Sequence, residues 1–313
     1  MNSIQITLIQ AVIVLALAPF SMGLVRFFKA RMQGRHGASP LLPYVTFATL
    51  LRKQMVISKS TSWIFRAVPF VVLATTIFLG LVLPLVGMGG ALAPLSDFVV
   101  VAAVLALGAI FLVLGGLDSA SAFGGMGSSR EMTIASLIEP TVIVTFATFA
   151  MVSGTSLING MLTTEFTGLL SHPNLLLAII SLLLIALAEN ARYPVDNPAT
   201  HLELTMVHEA MILEYSGPYL AMLEYASSLK LTLFALLAAN MLFPSGLLLV
   251  GSAPVVILIA IVVTAIKLIV AMFLLAFLES SIAKMRFFRM QEYLSVAFFV
   301  ALAALVLALI NFV

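Results

Sequence analysis

Six carboxylates lie close together in a chain that has only 13 acidic residues among its 313. Their segment, residues 189–224, contains a single Lys or Arg, which is Arg192. We call it the acidic segment, and its carboxylates are Glu189, Asp196, Glu203, Glu209, Glu214 and Glu224. Crowding and burial both raise carboxylate pKa values, and groups that titrate near neutrality can carry protons. The segment is therefore predicted to handle protons, with contact to a basic patch on a partner protein as the alternative.

A helix is predicted from Thr200 onward. Thr200 and Glu203 fit the capping box S/T-x-x-E, so Glu203 has a structural explanation beside the functional one. Glu203 and Glu214 are eleven residues apart, about three helical turns, and one helix would place both on the same face. Arg192 is predicted to pair with a carboxylate three or four positions away, which means Glu189 or Asp196.

Two histidines, His201 and His208, also lie in the acidic segment. His208-Glu209 begins like the zinc-protease motif HExxH, but residue 212 is Ile, so that motif is rejected. A metal site formed by His201, His208 and Glu209 is an alternative. A proton-linked or hydrogen-bonded role is favoured, and no metal is predicted.

Two further charges lie inside long apolar runs. Glu139 is about two turns inside one run, and Lys267 is near the middle of another. A carboxylate at the centre of a membrane helix costs roughly 2.5–3.5 kcal/mol on insertion scales. Glu139 is therefore predicted to be functional, with a buried partner or a bound proton. Lys267 should face the bundle interior, where it pairs with a carboxylate or water or loses its proton; a purely structural ion pair is the alternative.

The composition places the chain in a membrane. It is 62% hydrophobic and only 9% charged, with a mean hydropathy of +1.20, whereas soluble domains carry roughly 25% charged residues. The chain has no cysteine, so thiolate-ligated iron–sulfur clusters, thiolate zinc sites and disulfides are not expected on it. No cofactor is predicted. A net charge of +2 gives no indication of nucleic-acid binding.

Apolar runs of about 20 residues mark membrane-spanning helices. Eight are predicted, near 4–25, 67–87, 97–116, 132–154, 173–189, 228–248, 253–279 and 291–312. With eight spans, 14 of the 15 basic residues lie on one side, and only Lys267 lies within a span. By the positive-inside rule that side is cytoplasmic and both termini are periplasmic. The first run has no basic residues before it and is long enough to span, so it is predicted to be a helix rather than a signal peptide.

The fold class predicted is an all-α integral membrane protein, one domain over residues 1–313, with cytoplasmic amphipathic helices. Its cytoplasmic loops are predicted at 26–66, 117–131, 190–227 and 280–290. In the first loop a helix near 44–57 would lie along the membrane surface, with Phe47, Leu50, Leu51 and Met55 on one face. The Gly- and Ser-rich residues 115–131 are interpreted as a flexible connection.

The acidic segment also resembles a known family. Its pattern is Glu189-x-x-Arg192-x-Pro194-x-Asp196, then Glu203-Leu204, then Glu214-Tyr215-Ser216-Gly217. This is similar to the complex I membrane subunits called NADH dehydrogenase subunit 1 and to their bacterial counterparts. The string AENARYPVDNPATHLELTMVHEAMILEYSGP is more similar still to the hydrogenase branch, of the formate hydrogenlyase subunit 4 and hydrogenase-4 component C type. The loop RMQGRHGASPLLP and the segment from Arg130 to Glu139 extend the resemblance over nearly the whole chain.

The resemblance implies a subunit at the junction between a cluster-bearing peripheral arm and a membrane arm. Its partners would be the large and small subunits of a NiFe-hydrogenase, which would carry the iron–sulfur clusters and the NiFe centre, and antiporter-like membrane subunits. An acidic funnel would be formed by Glu139, Glu189, Arg192, Asp196, Glu203, Glu209, Glu214 and Glu224. Further contacts from the loops would come from Arg35, Arg130, Glu131, His201 and His208.

The leading hypothesis is a proton-coupling subunit without catalytic activity of its own, in a bacterial cytoplasmic membrane. Its electron donor would be formate or CO, and whether it binds quinone stays open. The alternative within the family is the quinone-site subunit of an NADH:quinone oxidoreductase. Alternatives from other classes are a stand-alone secondary transporter, built on Lys267 and Glu139, and a structural anchor for peripheral enzymes.

Overall fold

The computed structural model describes residues 2–162, 173–192, 207–282 and 287–312, and within these ranges the regular structure is helical. The α-helices are α1 Ser3–Met32, α2 Leu42–Arg52, α3 Trp63–Val82, α4 Phe98–Asp118, α5 Ala122–Ser153, α6 Ile158–Met161, α7 Pro173–Glu189, α8 His208–Ile212, α9 Gly217–Leu242, α10 Pro254–Ser281 and α11 Phe287–Phe312. The all-α class is thus confirmed for the part of the chain that the structure describes.

Among the described residues, seven helices are long and apolar enough to cross a membrane: α1, α3, α4, α5, α9, α10 and α11. The chain is therefore a multi-pass membrane protein. The eighth predicted span corresponds to α7, an apolar helix of 17 residues. Eight crossings and outward-facing termini stay predictions.

The helix ends that carry the basic residues meet at one end of the bundle. Asp118, at the end of α4, accepts hydrogen bonds from the backbone N–H groups of Ser62 and Phe65 at the start of α3. Lys29 near the end of α1 contacts Glu279 near the end of α10, at 3.2 Å. We call this the basic end. At the opposite, neutral end, the Ser156 hydroxyl donates to Asp97 just before α4, at 2.6 Å.

Small residues allow α11 to pack closely against α5 and α7. Ala297, Ala301, Ala304 and Ala308 are all buried along one side of α11. Small side chains bring helix backbones near each other in a membrane, where dispersion contacts replace the hydrophobic effect as the driving force. A hydroxyl pair adds to this contact, because Ser181 of α7 bonds both Thr145 of α5 and the carbonyl of Ala297.

The Gly- and Ser-rich residues are not a flexible connection, and that interpretation is wrong. Helix α4 runs to Asp118 and α5 begins at Ala122, with the Ser121 hydroxyl accepting from the N–H of Gly124 as its cap. Glycine serves packing here: a Cβ on Gly116 would lie 2.5 Å from the Ser128 hydroxyl oxygen and 3.1 Å from Met211. Its absence lets α4, α5 and α8 meet.

The amphipathic helix of the first loop is shorter than predicted and is packed into the bundle. It is α2, which ends at Arg52. Phe47 is buried against the ring of Tyr225 on α9, with ring centroids 5.7 Å apart. Leu51 and Met55 are exposed, so the predicted apolar face is only partly used. Helix α1 continues to Met32, and the cytoplasmic segment 26–66 stays a prediction.

Tyrosine hydroxyls compensate for a proline inside α1. Pro19 has no N–H, so the carbonyl of Leu15 lacks its usual helical donor. The hydroxyl of Tyr225 donates to this carbonyl at 2.8 Å. The hydroxyl of Tyr44 on α2 donates to the next carbonyl, that of Ala16. These bonds tie α2 and α9 to the part of α1 around its proline.

The helix predicted from Thr200 is observed over His208–Ile212, as α8, but it does not continue to Glu214. Val207 adopts φ −118° and ψ −79°, and the short α8 ends at Ile212. Glu214 therefore lies beyond the helix. The capping box of Thr200 and Glu203 falls outside the described residues. Helix α9 begins at Gly217, and the cytoplasmic segment 190–227 stays a prediction.

Candidate functional site

Two neighbouring cavities lie between the helices near the basic end. The first is bounded by α3, α4, α7 and α9, and the second by α4 and α5. The space that water can reach is about 60 Å³ in the first and about 20 Å³ in the second. Polar residues that line the first are Thr75, Thr76, Glu131, Glu189, Asn190, His208, Ser227 and Lys230; those that line the second are Glu131, Glu139 and Glu189. Glu131 and Glu189 thus belong to both cavities.

Glu189 forms a close ion pair with Lys230. The last residue of α7 reaches α9 with 2.6 Å between the Glu189 Oε1 and Lys230 Nζ atoms. The two side chains are only 12% and 22% exposed, so the pair is shielded from bulk solvent and weakly screened. Lys230 was not predicted as a site residue, because it is 41 positions away from Glu189 in sequence and follows an apolar stretch.

Glu139 lies on the outer surface of a membrane-spanning helix. Its side chain lines the second cavity and is also exposed. On the same stripe of α5, spaced three and four residues apart, Met132, Ser136 and Ile143 are exposed as well. The predicted buried partner for Glu139 is not observed among the described residues. This carboxylate instead lies between the second cavity and the outer surface of α5.

Arg192 pairs with Glu279, and the predicted pairing with Glu189 is wrong. Its guanidinium lies 3.4 Å from the Glu279 carboxylate, which also contacts Lys29 at 3.2 Å. The Glu279 side chain is only 2% exposed. Ala191 explains the difference: its φ of +47° ends α7 and turns the chain, so Arg192 leaves the face that carries Glu189. Glu279, at the end of a long apolar run, was missed.

The other predicted site residues do not join the cavities. Glu214 is exposed, and Arg35 is exposed in the turn that follows α1. Glu224 lies on α9 near Arg26 of α1, on a different side from the Lys230 that faces the first cavity. Arg130 and Glu209, which lie on α5 and α8, are partly buried and line neither of the two cavities. The predicted residues Asp196, His201 and Glu203 fall outside the described ranges.

The described residues contain no group of three His, Asp or Glu side chains that could hold a metal ion. His208 lines the first cavity beside Glu131. The alternative metal site with His201 cannot be built from the described residues, because His201 is not among them. Within the described residues, the first cavity therefore offers carboxylates, an imidazole, an ammonium group, an amide and hydroxyls, and the second offers carboxylates.

A family model described as NADH dehydrogenase matches residues 4–310. The chain belongs to this family. Formate hydrogenlyase subunit 4 of Escherichia coli (strain K12) is 29% identical over 285 residues, which cover 91% of this chain and 92% of that protein. Hydrogenase-4 component C of the same organism is 31% identical over 280 residues, which cover 90% and 88%. The resemblance to complex I subunit 1 and to its hydrogenase branch is confirmed.

A solved structure has the same fold. It is a chain in the structure of the membrane-bound sulfane sulfur reductase, an archaeal respiratory membrane complex. The TM-score is 0.83, and the match covers 98% of this chain and all of that one. With 18% sequence identity, the likeness shows that the fold is shared.

The family motif Glu214-Tyr215-Ser216-Gly217 has a structural role in this member. The Tyr215 ring stacks on Phe65 with centroids 4.0 Å apart, and its hydroxyl donates to the Phe65 carbonyl. The Ser216 hydroxyl bonds the backbone N–H and carbonyl of Val56. Gly217, with a φ of +54°, approaches the Gln54 carbonyl. The motif thus fastens the loop between α2 and α3 to the start of α9. Burial, and secondarily the nearby carboxylate of Asp118, raises the pKa of Tyr215.

Lys267 faces the bundle interior, as predicted, but its acceptors are neutral. Its ammonium group donates to the side-chain oxygen of Asn240 at 2.9 Å and to the backbone carbonyl of Ser245 at 2.8 Å. Ser245 follows the end of α9, where carbonyl groups lack helical donors. In this family member Lys267 therefore satisfies the end of a helix, and the expected carboxylate partner is not observed in the described ranges.

Proposed function

We propose that this protein is the membrane subunit of a respiratory-type hydrogenase complex of the formate hydrogenlyase or hydrogenase-4 kind. It would anchor the peripheral redox arm and link that arm's electron transfer to proton movement. It would carry no redox centre itself, and it would lie in a bacterial cytoplasmic membrane. Its two curated relatives, both from Escherichia coli, support this assignment.

The observation that carries the proposal is the position of Glu139. A carboxylate exposed to lipid within a spanning helix is costly, roughly 2.5–3.5 kcal/mol at the bilayer centre. Glu139 is exposed on the surface of α5 and lines a cavity. A neighbouring membrane subunit over α5 would remove this cost and would continue the polar path. This favours a subunit of an assembly over a stand-alone transporter.

The cavities supply the remainder of a proton path. His208 and Lys230 lie in the first cavity, Glu131 and Glu189 line both, and Glu139 lies in the second. Proton carriers need to be linked by hydrogen bonds or single waters. Protons would pass from the basic end, through the shared carboxylates, to Glu139 and then into the neighbouring subunit.

A quinone-site subunit of an NADH:quinone oxidoreductase remains the second candidate, and membership of the family favours it. A quinone ring needs a pocket of ligand size, roughly 300 Å³ or more. Water can reach about 60 Å³ of the larger cavity. The space within the described residues thus suits water and protons better than quinone.

The test is the substitution Glu139→Gln in the assembled complex. Gln keeps the size of Glu but cannot exchange a proton in this range. We expect normal assembly and at least tenfold slower coupled turnover or proton movement, about 1.4 kcal/mol or more in the barrier. Formate- or donor-driven hydrogen production and proton uptake into inverted vesicles would both be measured.

A matched control uses Glu292→Gln. Glu292 is exposed on α11 and lines neither cavity. Its replacement by Gln removes the same carboxylate charge but leaves the proposed proton path unchanged. Full coupling in the Glu139→Gln complex would exclude a proton path through this residue. Equal losses in both variants would point to a general effect of surface charge instead.

A further inference from the structure

The two cavities share part of their lining, which we call their junction. Four residues line both of them, and two of these, Leu105 and Ala109, are apolar residues of α4. The other two are Glu131 and Glu189. Within the described residues, Glu131 and Glu189 are therefore the polar groups that lie between the two cavities.

The Glu189 carboxylate is held from the side of the first cavity. Lys230 lines only that cavity, and its ammonium group lies 2.6 Å from Glu189. A charge-assisted contact of this length is among the stronger hydrogen bonds of proteins. In the part of the chain that the structure describes, the other charged or titratable groups facing the first cavity are Glu131 of α5 and His208 of α8. Glu189 cannot turn fully into the second cavity while it keeps Lys230.

The first cavity is suited to hold water. The side-chain oxygen of Asn190 is buried on its wall and has no donor among the described residues. A buried water needs at least roughly 10–15 Å³ and two to four polar partners. The first cavity offers about 60 Å³, with Asn190, Glu189 and Lys230 as partners.

We propose that Lys230 is a positioning residue that keeps the two cavities apart by holding Glu189 across their junction. Loss of the ion pair frees the Glu189 side chain and joins the first cavity to the second, which contains Glu139. The inference deepens the proposed function and rests on the same cavities, but it concerns access rather than turnover.

The chain's lack of cysteine allows a direct test by thiol accessibility in the assembled complex. Ser227→Cys places a thiol in the first cavity, and Ala135→Cys places one in the second. Inverted membrane vesicles would be treated with Ag⁺, a thiol-binding ion small enough for water-filled paths. The protein would then be denatured and its remaining free thiols alkylated. Thiols that had bound Ag⁺ stay unalkylated, and mass spectrometry would give their fraction.

With native Lys230, the Ser227→Cys thiol should react quickly and the Ala135→Cys thiol slowly. Adding Lys230→Ala should accelerate the Ala135→Cys thiol by about tenfold or more, since each tenfold corresponds to about 1.4 kcal/mol in the barrier. Lys230→Arg keeps the positive charge, so the reaction of the Ala135→Cys thiol with Ag⁺ should stay slow in that background. Glu189→Gln breaks the pair from its other side and gives the same acceleration, so the test does not depend on one variant folding.

Rapid reaction of the Ala135→Cys thiol beside native Lys230 would overturn the inference. So would slow reaction in both the Lys230→Ala and Glu189→Gln backgrounds, or a Ser227→Cys thiol that Ag⁺ cannot reach. The outcome is separate from the proposed function. If Lys230→Ala opens the junction while Glu139→Gln retains full coupling, the positioning role stands and the proton path fails.

Discussion

The two ends of the bundle are stabilised by different chemistry. At the basic end, ion pairs join helices: Glu189 with Lys230, and Glu279 with both Arg192 and Lys29. The pair of Glu189 and Lys230 lies beside a cavity that water can reach. Replacing one partner of such a pair destabilises the protein, because the other charge stays buried without its countercharge.

At the neutral end, side-chain amides replace ion pairs. Residues Leu83–Met88 follow α3 as buried, non-helical backbone. Gln10 donates to the Leu83 carbonyl at 2.7 Å and accepts from three backbone N–H groups, those of residues 85–87. Asn240 donates to the carbonyls of Pro84 and Leu85. Because an amide both donates and accepts, it can satisfy irregular backbone without bringing a charge into the membrane.

The comparison indicates that ion pairs lie beside the cavities where protons could move, whereas at the neutral end the amides of Gln10 and Asn240, with the Lys267 ammonium bound to Asn240, satisfy the backbone. It predicts that charge removal at the basic end has larger effects than amide removal at the neutral end.

The largest expected effect comes from Glu279→Gln. The change removes the charge of the carboxylate that Arg192 and Lys29 both contact, on a side chain that is only 2% exposed. Breaking a buried ion pair from one side costs about 3–5 kcal/mol. We expect a strong loss of folded protein, measured by thermal stability and by size-exclusion chromatography after detergent extraction.

A double variant provides the control for Glu279. Arg192→Met combined with Glu279→Met removes two charges and keeps apolar volume, so it should be more stable than Glu279→Gln alone. If the Glu279→Gln variant has the same melting temperature as the native protein, the ion pairs at the basic end contribute little to stability and the comparison fails.

An intermediate effect is expected from Gln10→Leu. Unpaired buried polar groups cost about 1–3 kcal/mol each when a partner is removed. We expect a lower melting temperature but unchanged coupled turnover per assembled complex, because Gln10 lines neither polar cavity. Gln54→Leu is the matched control, since Gln54 is exposed and should tolerate the same change. Lost coupling in the Gln10→Leu complex would show that the neutral end also serves function.

The smallest effect is expected from Asp97→Ala at the N-terminus of α4. The Ser156 hydroxyl and the Val99 N–H lower the pKa of Asp97. When folding lowers the pKa of a carboxylate, its charge stabilises the folded state at any pH above the pKa that the group has in the unfolded chain, which is about 3.9 for Asp. That stabilisation is lost as the pH falls further, through the pKa of the folded state. Asp97→Ala should cost about 0.5–2 kcal/mol at pH 7, and the difference should shrink towards about pH 3. Asp97→Asn, which also caps, should cost less at pH 7; a pH-independent loss would contradict the assignment.

The spans were predictable because each apolar run is as long as a bilayer is thick. The ion pairs were not, because their partners are far apart in sequence: 41 positions separate Glu189 from Lys230, and 87 separate Arg192 from Glu279. The predicted pairing of Arg192 with Glu189 assumed that α7 continues, whereas Ala191 ends it. Gly116 was misinterpreted because glycine serves close packing as well as flexibility. Glu139 and Glu189 line one cavity, whereas the position of Glu214 away from it depends on where α8 ends.

The proline in α1 makes the residues at positions 19 and 225 depend on each other. Pro19 leaves the Leu15 carbonyl to the Tyr225 hydroxyl, so Tyr225→Phe would strand a buried acceptor. In a chain with Pro19→Ala, the restored N–H would occupy that carbonyl and the hydroxyl would become dispensable. Positions 19 and 225 are therefore coupled: Tyr225→Phe should cost more stability in the native chain than in one that carries Pro19→Ala.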